Sequence, residues 1–271
     1  MITGWGCCWP HLNFHGINTQ EVFTMHINTN LSGIIYFALL SGALLLSQPI
    51  HSADLAATYE GKEVCIKCHD LQGETFEETV HAKAFDSLKP KVKSEAKQLA
   101  GLDPTKDYTN DTNCIGCHTT GYGEPGGYNT DLPGGLAKAL RGVTCEACHG
   151  AGSIFREQHG EAENKLKREG EYTDRKVLIA AGQNYDYEAK CVACHLNYEG
   201  SDYSGTHPPF TPFTPTLDEK YKFDFIKSVM HSGENGIKSI HEHFKLIGVF
   251  QGEAPALRDE LQKNAIDPND Y

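Results

Sequence analysis

The sequence predicts a mainly α fold, in which short helices joined by long loops form a compact soluble unit. Three observations support this. Hydrophobic residues make up 39% of the 271 residues and the mean hydropathy is −0.44, which is typical of a soluble chain with little core material. The 27 glycines and 12 prolines indicate a loop-rich chain. The chain contains 10 cysteines and 14 histidines, an excess that points to a metal or cofactor.

Apolar spacing and breaker residues place the helices and loops. Helical periodicity is expected near residues 75–100, 153–168, 174–183, 223–231, 236–247 and 255–264. Residues 121–133 and 201–215 are rich in glycine and proline and should be loops. Within the second loop, Thr211-Pro-Phe-Thr-Pro cannot be helical and should be extended.

The charge of the chain excludes one class of partner. The formal net charge is −12 and the isoelectric point is near 5.6, with no sustained basic stretch. A protein of this charge would be repelled by a phosphate backbone, so nucleic acid is not an expected partner.

The N-terminal segment reads as a targeting sequence. Residues 31–46 carry no charge, and small Ala53 precedes a polar stretch, which is typical of a secretory signal peptide over residues 1–53. Residues 1–24 are interpreted as a start-site artefact, with Met25 as the true start. The apolar stretch is shorter than the roughly 20 residues that a spanning helix needs, although an uncleaved N-terminal anchor is the alternative. We therefore expect a periplasmic protein whose functional domain is residues 54–271.

The eight cysteines after the signal segment all lie in one repeated pattern, CxxCH. The cysteines are Cys65, Cys68, Cys114, Cys117, Cys145, Cys148, Cys191 and Cys194, and the histidines that follow are His69, His118, His149 and His195. This is the attachment pattern of c-type haem, in which two thiols bond one porphyrin edge and the next residue ligates the iron. Zinc ribbons, redox-active cysteine pairs and disulfides are the competing readings, but none requires a histidine after every pair.

Four covalently bound haems would dominate the interior. The 218 residues after Ala53 leave about 54 for each haem, which is too few for separate domains. The haems should therefore supply much of the core and lie close to one another.

Helical periodicity selects three histidines as second ligands of the irons. His81, His159 and His241 each fall on the apolar face of a predicted helix. A histidine in that position is ordinarily a core residue, but beside four haems ligation is favoured. His231 and His243 are expected to face solvent. Three second ligands for four haems would leave one iron with an open position.

Several longer segments resemble a known family. The strings VHAKAFDSLKPKVKSEAKQLAGLDPTKDYT, CHLNYEGS, PPFTPFTP and HEHFKLIGVFQGE are similar to those of the tetrahaem cytochrome c-554 family, over about residues 59–260. The resemblance implies a mostly helical periplasmic electron carrier. Its donor would be an enzyme of the hydroxylamine oxidoreductase type, and its acceptor a membrane or soluble cytochrome leading to the quinone pool.

The resemblance also implies an assignment of ligands. It gives His159 to the first haem, His81 to the third and His241 to the fourth. The second haem, at His118, is implied to be five-coordinate beneath a loop that contains Thr211 and Phe213. His207, in the same loop, could close that site, although Pro208 and Pro209 favour a surface position.

The acidic charge departs from the strongly basic character of the best-known member of that family. If cleavage follows Ala53, the mature chain has a net charge of −11, because it keeps all 24 basic residues and loses one carboxylate, Glu21. A negatively charged partner would then need a local basic patch. The residues Lys89, Lys91, Lys93 and Lys97 are candidates for one, or they form only a solvated helix face.

Two functional classes remain open at this point. The first is an electron carrier without chemistry of its own. The second is an enzyme that reduces nitric oxide or another small nitrogen oxide at the open second haem. Thr211 and Phe213 offer a weak donor and a steric cover but no strong acid, which favours the carrier.

Overall fold

The computed structural model describes residues 56–203, 210–231, 236–243, 245 and 248–267. These residues belong to one compact unit, Ala56–Tyr271. The expected signal peptide, the start at Met25, the cleavage after Ala53 and the possible anchor all lie outside them. Within the described ranges, no helix has the length and apolar character needed to cross a membrane.

The structure is built from short helices, as the sequence predicts. The α-helices are Lys62–Cys65, Asp70–Glu78, Ser94–Leu99, Thr112–His118, Gly134–Ala139, Cys145–His149, Gly152–Glu169, Lys176–Ala180, Tyr187–His195, Phe225–Val229, Ile237–His241 and Arg258–Leu261. Phe85–Leu88 and Glu219–Tyr221 are 3-10 helices. Thr173–Asp174 and Phe250–Gln251 are two-residue strands that pair in parallel.

The longest helix, Gly152–Glu169, confirms the prediction for residues 153–168. It ends at Gly170, whose φ of 72° is the left-handed conformation that glycine adopts without a Cβ clash. Lys167 and Arg168 lie in its last turn, where cations stabilise the negative end of the helix dipole. The predictions near 174–183, 223–231 and 255–264 are confirmed as shorter helices. Of the helix predicted over 236–247, Ile237–His241 is helical, residues 236, 242, 243 and 245 are not, and the rest lie outside the described residues.

The single helix predicted over residues 75–100 is wrong. The first helix of this region ends before Thr79, which is extended, and a second break follows Leu88. Pro90 accounts for the second break, because a residue before proline is pushed out of the helical region, and Lys89 has a ψ of 154°. The helix begins again only at Ser94.

The core of the described residues consists of two hydrophobic clusters. The larger contains Phe85, Leu88, Tyr108, Ile115, Tyr128, Ala137 and Leu140. The smaller contains Ala162, Leu178 and Phe250. The larger cluster joins the Phe85–Leu88 turn to the helix that carries the second CxxCH motif, and the smaller fixes the strand pair against the longest helix.

Candidate functional site

The four CxxCH motifs lie on or next to helices. The helices Thr112–His118, Cys145–His149 and Tyr187–His195 each end at the motif histidine. In the first motif Cys65 ends one helix, and His69 is the residue before the next. Residues three apart on a helix share a face, so both thiols of a motif can reach one edge of a ligand.

Sequence reasoning missed the motif helices, although two carry a recognisable start signal. The side chain of Asp111 accepts a hydrogen bond of 3.1 Å from the backbone N–H of Asn113. The side chain of Asp186 accepts one of 3.1 Å from Ala189. Aspartate at this position caps a helix by satisfying a free N–H, and both caps are visible in the sequence.

Two pairs of histidine rings face one another at the spacing of two ligands of one metal. The ring centroids of His81 and His195 lie 6.0 Å apart. Those of His149 and His241 lie 6.2 Å apart. Metal–nitrogen bonds of about 2 Å on opposite sides of one ion place two imidazole centroids roughly 6 Å apart, so both pairs fit an iron between them.

These pairs correct the ligand assignment that the resemblance implied. His81 lies beside His195 of the fourth motif rather than the third, and His241 lies beside His149 of the third rather than the fourth. The physical reason is the packing of the helix Ile237–His241 against the helix Asp70–Glu78, which starts at the first motif. That contact carries His241 to the first and third motifs.

His159 lies close enough to the first motif to influence His69, and its assignment to the first haem stays a prediction. The pKa of His69 is lowered by desolvation and then by the neighbouring imidazoles of His159 and His241. Part of His69 is still exposed, so the desolvation reflects the atoms packed around its ring. A histidine that stays neutral keeps the lone pair that a metal requires.

Three of the candidate ligands are oriented by backbone carbonyls. The Nδ1 atoms of His118, His159 and His241 donate to the carbonyl oxygens of Ala84, Phe155 and Ile237, at 2.7, 2.9 and 2.9 Å. Because a carbonyl oxygen only accepts, the proton must be on Nδ1. Nε2 is then the atom left to bind a metal, which is the usual outer-shell arrangement of metal-binding histidines.

Burial keeps two further rings neutral. Desolvation, and then the neighbouring His195, lowers the pKa of His81 to about 4. Desolvation, followed by the nearby imidazoles of His241, His69 and His159, lowers the pKa of His149 to about 3. Both rings are therefore neutral throughout the physiological range.

The motifs contact one another in the order first, third, fourth, second. The side chains of Cys65 and Cys145 lie within hydrogen-bonding reach of each other, which brings the first and third motifs together. The helices of the third and fourth motifs, Cys145–His149 and Tyr187–His195, pack together. The side chains of Cys194 and Cys117 lie within hydrogen-bonding reach of each other, which brings the fourth and second motifs together. The four motifs thus form one continuous path.

A buried carboxylate joins the first and third motifs. Glu146 is 1% exposed, and its side chain accepts hydrogen bonds of 3.0 Å from the backbone N–H of Glu60 and 2.7 Å from those of Gly61 and Gly152. Arg156 in turn binds the Glu60 carboxylate through two hydrogen bonds of 2.7 and 3.0 Å. Sequence reasoning missed Glu146, because nothing in the pattern distinguishes the two variable residues of a CxxCH motif.

The second motif borders a surface cavity of about 260 Å³. Val80, Lys83, Lys93 and His118 are among the residues that line it. Ser87 Oγ also lies 3.1 Å from His118 Nδ1, beside the carbonyl that the ring already binds.

The loop expected over the second haem is only partly described. Thr211 donates its backbone N–H to the Asn197 carbonyl at 2.8 Å, and the Phe213 ring lies 5.2 Å from that of Tyr221. These contacts attach the loop to the segment that follows the fourth motif, and its position over the second haem stays a prediction. His207 lies outside the described residues.

Buried polar atoms next to the motifs also suit an acidic group. Arg175 Nε and Tyr221 OH are buried without a hydrogen-bond partner in the described chain. Arg175 lies close enough to His159 to lower its pKa, after desolvation as the largest cause. Buried donors of this kind normally find an acceptor, and the propionates of a haem would supply one. The ring pairs, the oriented histidines and these donors together fit bound haem.

Comparison with known proteins gives the family. A family model described as "Cytochrome c554 and c-prime" matches residues 64–150. Cytochrome c-554 from Nitrosomonas europaea is 45% identical over 233 residues, which cover 86% of this chain and 96% of that protein. The solved structure of reduced cytochrome c554 from the same organism matches with a TM-score of 0.71 and 46% identity, over 78% of this chain and 98% of that chain. The resemblance read from the motifs is therefore confirmed, and the chain belongs to the cytochrome c-554 family of multihaem c-type cytochromes.

Proposed function

We propose that this cytochrome is a periplasmic tetrahaem carrier that takes electrons from an enzyme of the hydroxylamine oxidoreductase type and passes them towards the quinone pool. Membership of the family supports covalently bound haem c and electron transport with redox partner proteins. The contact path through the four motifs carries the finer proposal. Motifs in contact hold their cofactors close enough for electrons to move between them within one molecule.

The two observed ring pairs support two of the ligand sets. His149 with His241 and His195 with His81 would each hold one iron. His69 would hold another with His159, as the resemblance implies, and His118 would hold the fourth. Bound haem supplies a one-electron couple at each position, and its potential depends on the axial ligands, burial and hydrogen bonding.

The chain's own residues restrict what happens at three of the positions. The carbonyl bonds to His159 and His241 and the stacking of Phe223 on His195, 4.7 Å between centroids, hold those rings in place. Fixed ligands on both sides keep other molecules off the iron. Such positions favour electron transfer over the binding of small ligands.

Export to the periplasm agrees with the cofactor, because c-type haem is attached outside the cytoplasm. The signal segment at residues 1–53 supports this proposal from the sequence alone. The acceptor would be a membrane or soluble cytochrome, and the donor would be the enzyme named above.

One observation favours a second candidate function, the reduction of nitric oxide at the second haem. Among the described residues, each of the other three motif histidines has a second imidazole nearby, whereas the Nδ1 atom of His118 contacts Ala84 and Ser87 and the residues around its cavity include no second histidine. An iron held from one side only can bind a small ligand.

Mixing the oxidised holoprotein with hydroxylamine oxidoreductase and hydroxylamine tests the proposal. We expect all four haems to be reduced, as seen in their visible absorption bands, and no reduction when the enzyme is left out. Failure of the haems to accept electrons from the enzyme would contradict the proposed donor. Catalytic consumption of nitric oxide by the fully reduced protein would instead establish the second function.

A further inference from the structure

The cavity at the second motif carries positive charge in an acidic protein. Two of its lining residues are lysines, Lys83 and Lys93, and both border the same space as the His118 ring. Residues 80–97 contain five lysines against the two carboxylates Asp86 and Glu95, a net charge of +3 in a chain of net charge −12. The charge of this segment is therefore opposite in sign to that of the whole molecule.

Three of these lysines have no carboxylate partner within the described residues. The salt bridge of this region joins Lys89 to Asp86, and the Lys83 amine donates to the Glu78 carbonyl at 2.8 Å. No ion pair is recorded for Lys83, Lys91 or Lys93 in the part of the chain that the structure describes. Their charges remain available to a partner from solution.

The backbone conformation fixes the positions of two of these lysines, Lys91 and Lys93. Lys91 and Lys93 have φ values of 64° and 50°, a left-handed conformation that costs about 1–2 kcal/mol for a residue with a Cβ. The Lys91 N–H donates to the Pro104 carbonyl at 2.7 Å. The amine of Lys97, itself 4% exposed, donates to the Lys89 carbonyl at 2.6 Å and so fixes the start of the turn. Strain of this kind persists where the surrounding structure enforces it, and it is common at functional positions.

An apolar residue lies at the same place. Val80 is 51% exposed and lines the cavity beside Lys83 and His118. A small apolar centre with charged residues around it is the usual composition of an interface that forms and separates quickly.

From these observations we propose that Val80, Lys83, Lys91 and Lys93, here called the lysine surface, dock a redox protein whose own docking face is acidic, so that electrons pass through the second haem. The proposal rests on the proposed carrier function and adds the place and chemistry of its contact. Local positive charge steers a negatively charged partner towards this face, while the net charge of the rest of the chain disfavours other orientations.

The test uses flavodoxin in its hydroquinone state as an acidic protein probe. One electron passes from the flavin hydroquinone to a ferric haem, which leaves the flavin as its semiquinone. Stopped-flow spectroscopy gives the second-order rate constant for the wild-type holoprotein and for the double variant Lys83→Glu/Lys93→Glu. We expect the variant to react roughly tenfold more slowly or worse at low salt, since steering changes association rates by about 10 to 1,000-fold.

A matched control makes the same charge change elsewhere. Lys245 and Lys263 line a second surface cavity, so Lys245→Glu/Lys263→Glu alters the net charge equally. We expect the control to react at close to the wild-type rate, and high salt to remove the difference between all three proteins because it screens exposed charges.

Three results would overturn the lysine surface. One is equal slowing of both double variants, which would show an effect of net charge alone. Another is a wild-type rate for the Lys83→Glu/Lys93→Glu protein. The third is slower oxidation of the reduced variant by hexacyanoferrate(III), in which one electron passes from ferrous haem to the anion, with no slowing of its reduction by flavodoxin; that result would identify a small-anion site. A holoprotein that exchanges electrons with neither probe would contradict the carrier function itself, and the two failures are therefore distinguishable.

Discussion

The imidazole rings of His81 and His195 meet edge to face, with centroids 6.0 Å apart and planes at 75°. The His195 ring also stacks on the Phe223 ring, and the angle between the two ring planes is 13°. A residue from the first third of the chain therefore reaches the last CxxCH motif, where a second ligand is needed. This contact ties the segment that follows the first motif to the fourth motif.

Replacing His81 with methionine tests this pairing. The variant His81→Met should raise the midpoint potential of the haem at the fourth motif, because a Met/His ligand set has a higher potential than two histidines. Potentiometry with NMR of the haem methyl groups would locate the change at the haem next to Phe223. The matched variant His241→Met should act on the haem next to Tyr187, whose ring lies 5.6 Å from that of His149. If His81→Met changed the haem at the third motif and His241→Met the haem at the fourth, the assignment that the resemblance implied would be correct.

Replacing Glu146 with glutamine should destabilise the fold. Glutamine has only one acceptor oxygen, so at least one of the backbone donors at Glu60, Gly61 and Gly152 would lose its partner. A buried donor without a partner costs about 1–3 kcal/mol. Chemical unfolding followed by circular dichroism would measure the change in the free energy of unfolding. The exposed Glu161 gives the control, since Glu161→Gln should change that free energy by less than about 0.5 kcal/mol.

The same carboxyl should make stability depend on pH. Burial, the largest cause, raises the pKa of Glu146 above its ordinary value of 4.5, against the lowering effect of its backbone hydrogen bonds. The folded state then binds the proton more tightly than the unfolded state, so the contribution of Glu146 is full below pH 4.5 and declines as the pH rises through the raised value. Unfolding measured from acid to neutral pH should show the advantage of the wild type over Glu146→Gln shrinking. An advantage that grows with pH would contradict the direction of the pKa shift.

Alanine at position 142 should disturb the second and fourth motifs together. Gly142 has a φ of 87°, its N–H donates to the His118 carbonyl at 3.1 Å, and an added Cβ would lie 2.8 Å from the carbonyl oxygen of His81. Gly101 is the control, because its φ is 71° but nothing lies within 4 Å of an added Cβ. Gly101→Ala should cost only the backbone term of about 1–2 kcal/mol. Gly142→Ala should cost more and alter the low-spin EPR signals, and equal costs with unchanged spectra would disprove the contact.

Sequence alone predicted the residues of the site better than their arrangement. The CxxCH spacing identified every motif, and helical periodicity selected His159 and His241, which the structure orients through carbonyls four residues earlier. Periodicity could not decide which of His81 and His241 ligates the third haem and which ligates the fourth. That choice depends on the packing of one helix against another that is distant in sequence. Lys97, considered in the sequence for a basic patch, proved to be buried, with its amine bound to the Lys89 carbonyl and placed over the Tyr108 ring.

The break at residues 79–93 shows where periodicity fails. The apolar spacing continues through Phe85 and Leu88, and both side chains do pack in the core. Pro90 nevertheless ends the helical conformation after Leu88, and a helix begins again only at Ser94. A breaker residue outweighed the pattern, as its fixed φ and its effect on the preceding residue require.

Single-electron reduction of the oxidised holoprotein by pulse radiolysis shows whether the four motifs hold one connected path for electrons. We expect the haem reduced first to pass its electron to the haem of highest potential at a rate that does not change with protein concentration. A redistribution rate proportional to protein concentration would show transfer between molecules, and would contradict a continuous path within the chain.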